Sequence, residues 1–307
     1  MSQAIPSSSQ ISRRRQPQWA RRILMVGVFI AIITVLRMWI PHEIAMWHLA
    51  KAGSILKQLD EPIDDDESSE TKRHQIFSQA FEELDKAASW AGKDPAVFLA
   101  RAQARMREIR YLPPDDLQAA WRSVEYDLSE AIKLRPAVPD FYRLRANANY
   151  ALGKAEDAIR DSSMFIQTLT DIPNYPSFMY AVALNQRAYM RALTGREISE
   201  GLDDIQKAFQ ISGKEKEEGS FLDTRGYLRF KNGQLDDALI DVTRALKLIQ
   251  SESIDEEGEA IAAREEAIGV VYYHRFEILS ALGKEDSAQF DYDEAMKRDY
   301  DPERGIF

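Results

Sequence analysis

The residues best suited to acid–base or metal chemistry are four histidines, at His42, His48, His74 and His274. A zinc site built on one helix needs two ligands on the same face, about one turn apart. His42 and His48 are six residues apart, so they point to different sides of a helix. His274 lies in an apolar run with Val271, Tyr272 and Tyr273, which is typical of a packed core or rim position. The histidines therefore predict no metal centre.

Other sequences that would support catalysis are also absent. The chain has no cysteine, which excludes thiolate ligands, disulfides and cysteine nucleophiles. It contains no glycine-rich phosphate loop, no HExxH and no GxSxG sequence. The acidic run from Asp64 to Glu67 lacks the glycine and the terminal glutamate of a calcium loop, and is typical of a solvated spacer. We therefore predict no cofactor, no catalytic residues and no enzymatic activity of the chain's own.

Arginine and aspartate recur in register through most of the chain. The arginines are Arg101, Arg145, Arg187, Arg225 and Arg275, and the matching aspartates are Asp127, Asp161, Asp204, Asp241 and Asp291. A planar guanidinium can donate two parallel hydrogen bonds to a carboxylate while its stem covers apolar surface. We predict five structural ion pairs that fix helix register. The alternative is a row of arginines that binds an anionic ligand, but the matching aspartates would neutralise such a row.

These charges lie within a repeating helical pattern. The pattern is clearest over residues 219–248, where small residues at Gly226, Ala238 and Ala245 alternate with bulky apolar ones around a break at Gly233. The glycine recurs at Gly153, Gly195 and Gly283. Repetition at roughly 34 to 50 residues indicates stacked helix pairs. The apolar spacing predicts five pairs, at 95–110 and 115–134, 139–151 and 155–170, 177–193 and 198–211, 218–231 and 235–250, and 260–282 and 285–298.

The repeat resembles the tetratricopeptide repeat (TPR). The resemblance rests on a small residue before the turn, the turn glycine, an alanine five residues later and a closing proline, as in Ala146, Gly153, Ala158 and Pro136. It covers about residues 94–302 and implies an all-α, right-handed superhelical solenoid of helix-turn-helix repeats. The sequence departs from the pattern at Phe165, at Phe276 and at the Tyr111–Pro114 loop, which replaces the turn glycine of the first pair.

The resemblance also implies a site. In TPR proteins the first helix of each pair lines a concave face that takes up peptides or partner helices. That face maps here to residues four apart, namely Arg143 and Asn147, Asn185 and Tyr189, Asp223 and Tyr227, and Tyr273 and Glu277. A clamp for a terminal carboxylate would need basic groups where Asn185, Ser220 and Asp223 stand. The groove is therefore predicted to suit a neutral or basic peptide segment of a protein partner.

The first forty residues predict a membrane anchor. Residues 1–22 are rich in Ser, Gln and Arg without apolar periodicity, and are expected to be a disordered basic tail. Residues 23–41 form an apolar stretch whose only charge is Arg37, long enough to span a bilayer once. Five arginines precede this stretch, so the positive-inside rule predicts a cytoplasmic amino terminus and an extracytoplasmic repeat domain. A cleaved signal peptide is the alternative.

The segments on either side of the repeats are less regular. Residues 42–93 are expected to hold two membrane-proximal helices, separated by an acidic spacer at Glu61–Glu70, that form a degenerate repeat or a cap. Residues 303–307 form a carboxyl-terminal tail, which docks on the last pair or reaches for a neighbour.

The charge of the chain excludes one class of partner. The protein has 40 Lys and Arg against 50 Asp and Glu, a net charge of −10. The first 50 residues hold six of the basic residues and one acidic residue, so the remainder carries −15. Nucleic acid binding requires clustered Lys and Arg, and no small-molecule substrate is evident. We expect a membrane-anchored scaffold or adaptor for protein–protein interactions, or alternatively an accessory or regulatory subunit of a membrane enzyme or of an envelope or secretion complex.

Overall fold

The computed structural model describes residues 18–60, 67–213, 218–251 and 259–302. These residues form twelve α-helices and a short 3-10 helix at Lys57–Leu59, with no β-strand among them. The helices are α1 (Gln18–Leu56), α2 (Glu67–Ala91), α3 (Pro95–Ile109), α4 (Pro114–Leu134), α5 (Pro139–Ala151), α6 (Ala155–Thr170), α7 (Ser177–Thr194), α8 (Ile198–Ser212), α9 (Gly219–Lys231), α10 (Leu235–Ser251), α11 (Glu259–Ala281) and α12 (Glu285–Met296).

The twelve helices pack in consecutive pairs, α1 with α2 through α11 with α12, and each pair also packs against the next. The predicted all-α solenoid of stacked helix pairs is confirmed. Three predicted segments lie outside the described residues: the basic tail through residue 17, the acidic run at 61–66, and the carboxyl-terminal tail at 303–307.

Helix α1 differs from the expected arrangement of a span followed by a separate helix. It continues without a break through Pro41. Proline lacks the N–H that would bind the carbonyl of Arg37, but this loss does not end the helix. Residues Met25–Leu59 make the one helix among those described that is long and apolar enough to cross a membrane, and its apolar window is not buried against the rest of the protein. The 39 residues of α1 extend about 58 Å, well beyond the roughly 30 Å of a bilayer core.

The second half of α1 is therefore the first helix of the array. Ala52 and Leu56 pack against Phe77, Ala80 and Leu84 of α2. The expected acidic spacer is also shorter than residues 61–70, because α2 already begins at Glu67. The α1–α2 pair then contacts α3 through its own apolar side chains, so the array is continuous from α1 onward.

A buried carboxylate joins α1 to α2. Glu83 is 4% exposed and accepts hydrogen bonds from His48 Nδ1 at 2.6 Å, Lys51 Nζ at 3.0 Å and Lys86 Nζ at 3.0 Å. The bond from His48, followed by those from the two lysines, lowers the pKa of Glu83 to about 2. Glu83 is thus ionised at neutral pH and ties α1 to α2.

The recurring glycines end the first helices of four pairs. Gly153, Gly195, Gly233 and Gly283 adopt left-handed φ angles of 72°, 64°, 78° and 68°. The next residue then turns its N–H back to a helix carbonyl, as Lys154 does to Asn149 at 2.8 Å. Glycine suits this position because it has no Cβ to clash in the left-handed region. The α3–α4 pair instead turns through Tyr111–Pro114, and α4 begins at Pro114.

Small residues let the paired helices approach closely. A Cβ placed on Gly226 would lie 2.5 Å from Val242 Cγ2 and 3.1 Å from the carbonyl oxygen of Ala238. Ala238, Val242 and Ala245 are themselves fully buried on the facing side of α10. Glycine at this position is therefore required by the spacing of α9 and α10, as the alternation of small and bulky residues predicts.

The array curves so that helices from non-neighbouring pairs meet. Tyr189 Oη on α7 lies 3.3 Å from His274 Nε2 on α11. Arg110, just after α3, donates a hydrogen bond to Glu266 on α11 at 2.8 Å. Contacts that skip a pair occur on the inner side of a curve, so α7 and α11, both first helices of their pairs, line the concave face.

Candidate functional site

The structure brings each recurring arginine to its matching aspartate. In four pairs Nε and Nη2 of the guanidinium each donate to one carboxylate oxygen: Arg145–Asp161 at 2.8 and 2.8 Å, Arg187–Asp204 at 2.7 and 2.7 Å, Arg225–Asp241 at 2.8 and 2.8 Å, and Arg275–Asp291 at 2.6 and 2.7 Å. Every bond joins the first helix of a pair to its second helix. Because all four aspartates are buried, each pair restrains both helices in one relative position.

A second donor accompanies three of these pairs, and the sequence pattern did not reveal it. It comes from the residue one helical turn after the arginine: Asn149 donates to Asp161 at 2.9 Å, Arg191 donates to Asp204, and Arg229 donates to Asp241 at 2.5 Å. A polar residue at four-residue spacing was the available signal. Because the recurring arginines of these pairs donate their hydrogen bonds to aspartates, they do not form a row that is available to an anionic ligand.

The pair in α3 and α4 departs from this geometry. Arg101 Nε lies 3.5 Å from Asp127 Oδ2, and Asp127 Oδ1 has no hydrogen-bond partner among the described residues. Asp127 is nonetheless 1% exposed. Burial raises the pKa of Asp127 to about 6, although the charges of Arg101 and Arg105 oppose this shift. The loose ion pair occurs in the same hairpin that lacks the turn glycine.

Asp127→Asn is expected to stabilise the protein at neutral pH. The folded-state pKa of about 6 lies above the unfolded value of about 3.9, so ionisation of Asp127 costs stability as the pH rises between these values. Asparagine removes that cost. We expect the free energy of unfolding of the full chain in detergent to rise by about 2 kcal/mol at pH 7.5 and to change little at pH 4.

The control for this prediction is Asp116→Asn, which changes an exposed aspartate on the same helix and should have a small effect at both pH values. A loss of stability on Asp127→Asn at pH 7.5, or an equal gain at both pH values, would show that burial does not disfavour the Asp127 charge.

The eight predicted groove residues fall into two groups along the inner face. The upstream group is accessible: Arg143 keeps a third of its side chain exposed and forms an ion pair with Asp140 of its own helix, at 2.9 Å, while Asn147 and Asn185 are partly exposed. The downstream group packs together. Asp223 and Tyr227 are each 6% exposed, so neither presents its side chain to a partner.

The downstream group is organised around His274. Its Nδ1 lies 3.0 Å from both carboxylate oxygens of Asp223, and its ring stacks on Tyr227 with centroids 3.9 Å apart. Tyr227 Oη donates to Glu277 Oε2 at 2.8 Å. Burial raises the pKa values of Tyr189 and Tyr227 above their ordinary range, so both phenols remain neutral donors. Tyr273 packs beside this group, and its ring lies tilted against that of Tyr300 with centroids 4.9 Å apart.

The Asp223–His274–Tyr189 arrangement has the order of a proton relay, but its geometry is that of a packed core. His274 is 1% exposed, and both ring nitrogens already have partners. A catalytic base must reach a substrate proton directly or through one water. Within the described part of the chain, no group of three or more His, Cys, Asp or Glu is placed to hold a metal ion. The cluster therefore joins α7, α9 and α11.

No protein-family model matches this chain, and no curated protein matches it. Among solved structures, a tetratricopeptide repeat protein from Parabacteroides merdae is 16% identical, with 84% of this chain and 94% of that chain aligned at a TM-score of 0.50. PilW, a type IV pilus biogenesis factor, is 14% identical over 77% of this chain and 93% of its own, with a TM-score of 0.48. At these identities the likeness extends to the fold alone.

Proposed function

We propose that this chain, a helical solenoid with the tetratricopeptide-repeat fold, is a membrane-anchored scaffold that binds a protein partner on the upstream half of its inner face. The binding surface comprises Arg143 and Asn147 on α5 and Asn185 on α7. The downstream half, around His274, is filled by the protein's own side chains and holds α7, α9 and α11 at the curvature that shapes this surface.

The observation that carries the proposal is a side-chain amide oxygen without a hydrogen-bond donor. Asn185 Oδ1 is buried, yet it has no hydrogen-bond partner among the described residues. An unpaired buried acceptor costs about 1–3 kcal/mol, and a partner that supplies a hydrogen-bond donor would recover this cost. Asn185 as a residue is partly exposed, so a rotation of its amide would turn this oxygen toward a backbone N–H of an extended or helical peptide on the inner face. Arg143 and Asn147 supply further polar tips on the neighbouring first helix.

The proposed location of the solenoid relative to the membrane is supported by the character of α1. The apolar residues of its first half, including Phe29 at 64% exposure, are not buried against the solenoid and are suited to lipid. The five arginines before the span favour retention of the amino terminus in the cytoplasm. The solenoid then lies on the extracytoplasmic side, joined rigidly to the span because α1 is continuous and Glu83 ties its second half to α2.

The absence of cysteine allows one experiment to test both location and binding. A single cysteine is introduced by Asn147→Cys on the inner face, or by Tyr126→Cys on the outer face as a matched control. Each full-length variant is labelled with a membrane-impermeant benzophenone maleimide in cells whose cytoplasmic membrane is intact. We expect both positions to be labelled, and irradiation to yield a discrete cross-linked partner from position 147 alone.

The two parts of the proposal fail separately. If both positions resist labelling until the membrane is opened, the extracytoplasmic location is wrong. If both are labelled but position 147 yields no adduct beyond that from position 126, the inner face is not the binding surface.

A further inference from the structure

The outer surface of the last two pairs carries large apolar side chains in contact with solvent. Ile240 on α10 is 65% exposed, and Phe290 on α12 is 57% exposed. Apart from residues of the apolar anchor helix α1, Ile240 is the most exposed large hydrophobic residue in the described chain. Single exposed apolar residues are common, but a contiguous group with a concave shape marks an interaction site.

These residues border a groove between α10 and α12, which we name the α10–α12 groove. Its floor and walls are formed by Leu239, Ile240, Thr243, Leu279 and Phe290. It consists of two adjoining depressions of about 500 and about 340 Å³ that share Leu239 and Thr243. The second helices of the pairs form its sides, so it lies away from the inner face and from the residues proposed above to bind a partner there.

The α10–α12 groove is basic although the protein is acidic. Arg244 and Lys247 line it on α10, and Lys284 lines it beside α12. None of the three makes an ion pair with a described residue, in contrast to the paired arginines of the inter-helix bridges. One carboxylate, Asp286, stands on the rim, while Arg275 and Asp291 at the floor neutralise each other. The groove therefore keeps a net positive charge within a region, residues 51–307, that carries −15.

The dimensions of the groove match a short helix. Its residues on α10 run from Leu239 to Lys247, a length of about 12 Å at 1.5 Å per residue. This corresponds to about two turns of a second helix laid alongside. An amphipathic helix presents its apolar residues on one face, and that face would meet the exposed side chains of Ile240 and Phe290. The residues that flank the apolar face of this helix would then lie beside Arg244, Lys247 and Lys284.

We propose that the α10–α12 groove binds an acidic amphipathic helix of a partner protein, with two or three apolar side chains seated on Ile240 and Phe290 and with Asp or Glu beside Arg244, Lys247 and Lys284. Charge complementarity selects the acidic occupant and repels basic helices. This surface is separate from the inner face, so the solenoid holds two protein segments at once.

The test is a selection from a phage-displayed library of random helical peptides. The target is the full-length protein in neutral-lipid nanodiscs. The groove variant combines Ile240→Ser, Phe290→Ser, Arg244→Ser and Lys247→Ser. The control combines Arg122→Ser and Tyr126→Ser, an exposed arginine and an equally exposed aromatic on α4. All of these side chains are exposed, so the variants should keep the melting temperature of the wild type.

We expect the selected peptides to be acidic, with apolar residues at spacings of three or four, and to bind the control variant as they bind the wild type. The groove variant should bind them at least tenfold more weakly. Basic or patternless peptides, or equal binding to the groove variant, would overturn the proposal. So would protection of Ile240–Lys247 from hydrogen exchange in anionic-lipid nanodiscs without peptide, because that result would assign the groove to the membrane surface.

Discussion

Asp241→Asn is expected to lower the free energy of unfolding by about 3 kcal/mol, the largest loss we expect from a substitution that preserves side-chain size. Asp241 is 3% exposed and receives hydrogen bonds from Arg225 Nε and Nη2 and from Arg229 Nη1. Asparagine keeps one acceptor oxygen but turns an N–H₂ group toward a guanidinium. Two positive charges then lose their common counter-ion inside the α9–α10 seam.

Chemical denaturation of the full chain in detergent measures this loss. The matched control is Asp237→Asn, which changes an exposed aspartate one turn earlier on α10. That residue lies in the first turn of α10, where its charge interacts with the helix dipole, so its loss should cost under about 1 kcal/mol. Equal small losses for both variants would mean that the buried ion pairs contribute little to the stability of the stack.

The contrast with Asp127 is informative because the two aspartates occupy equivalent places in their pairs. The same change to asparagine should destabilise the protein at Asp241 and stabilise it at Asp127 at neutral pH. The difference lies in the partners: Asp241 receives three hydrogen bonds from two arginines, whereas Asp127 has one distant guanidinium and an unpaired oxygen. Aspartates at equivalent positions of the repeat can therefore contribute to the free energy of unfolding with opposite signs.

Much of the fold could be predicted because its determinants are local. The five predicted helix pairs agree with the structure to within two residues at every boundary, since glycine turns, prolines and apolar spacing act within one hairpin. The recurring arginine and aspartate were recognisable for the same reason: a bridge inside one hairpin repeats with the hairpin. The turn glycines at 153, 195, 233 and 283 all adopt the left-handed conformation that only glycine enters without strain.

Features that join distant parts of the chain could not be predicted. His48 meets Glu83, and Asp223 meets His274, across 35 and 51 residues, and no periodic pattern links their positions. The continuity of α1 through Pro41 was not predicted, because the packing of Ala52 and Leu56 on α2, which sustains the helix beyond the proline, joins separate parts of the chain. The predicted groove residues were assigned by repeat position alone, which does not reveal that curvature buries Asp223 and Tyr227.

Binding of a protein partner by the upstream inner face is the proposal on which the function of this protein depends. The most direct test is affinity capture of the full-length chain, cross-linked in its native membrane, from cells that express the wild type, the inner-face variant Arg143→Ala/Asn147→Ala/Asn185→Ala, or the outer-face control Arg122→Ala/Tyr126→Ala. All three proteins must first show the same melting temperature. We expect a partner in stoichiometric amounts with the wild type and the control, and a loss of at least tenfold with the inner-face variant. Equal recovery of that partner by all three proteins would contradict the claim.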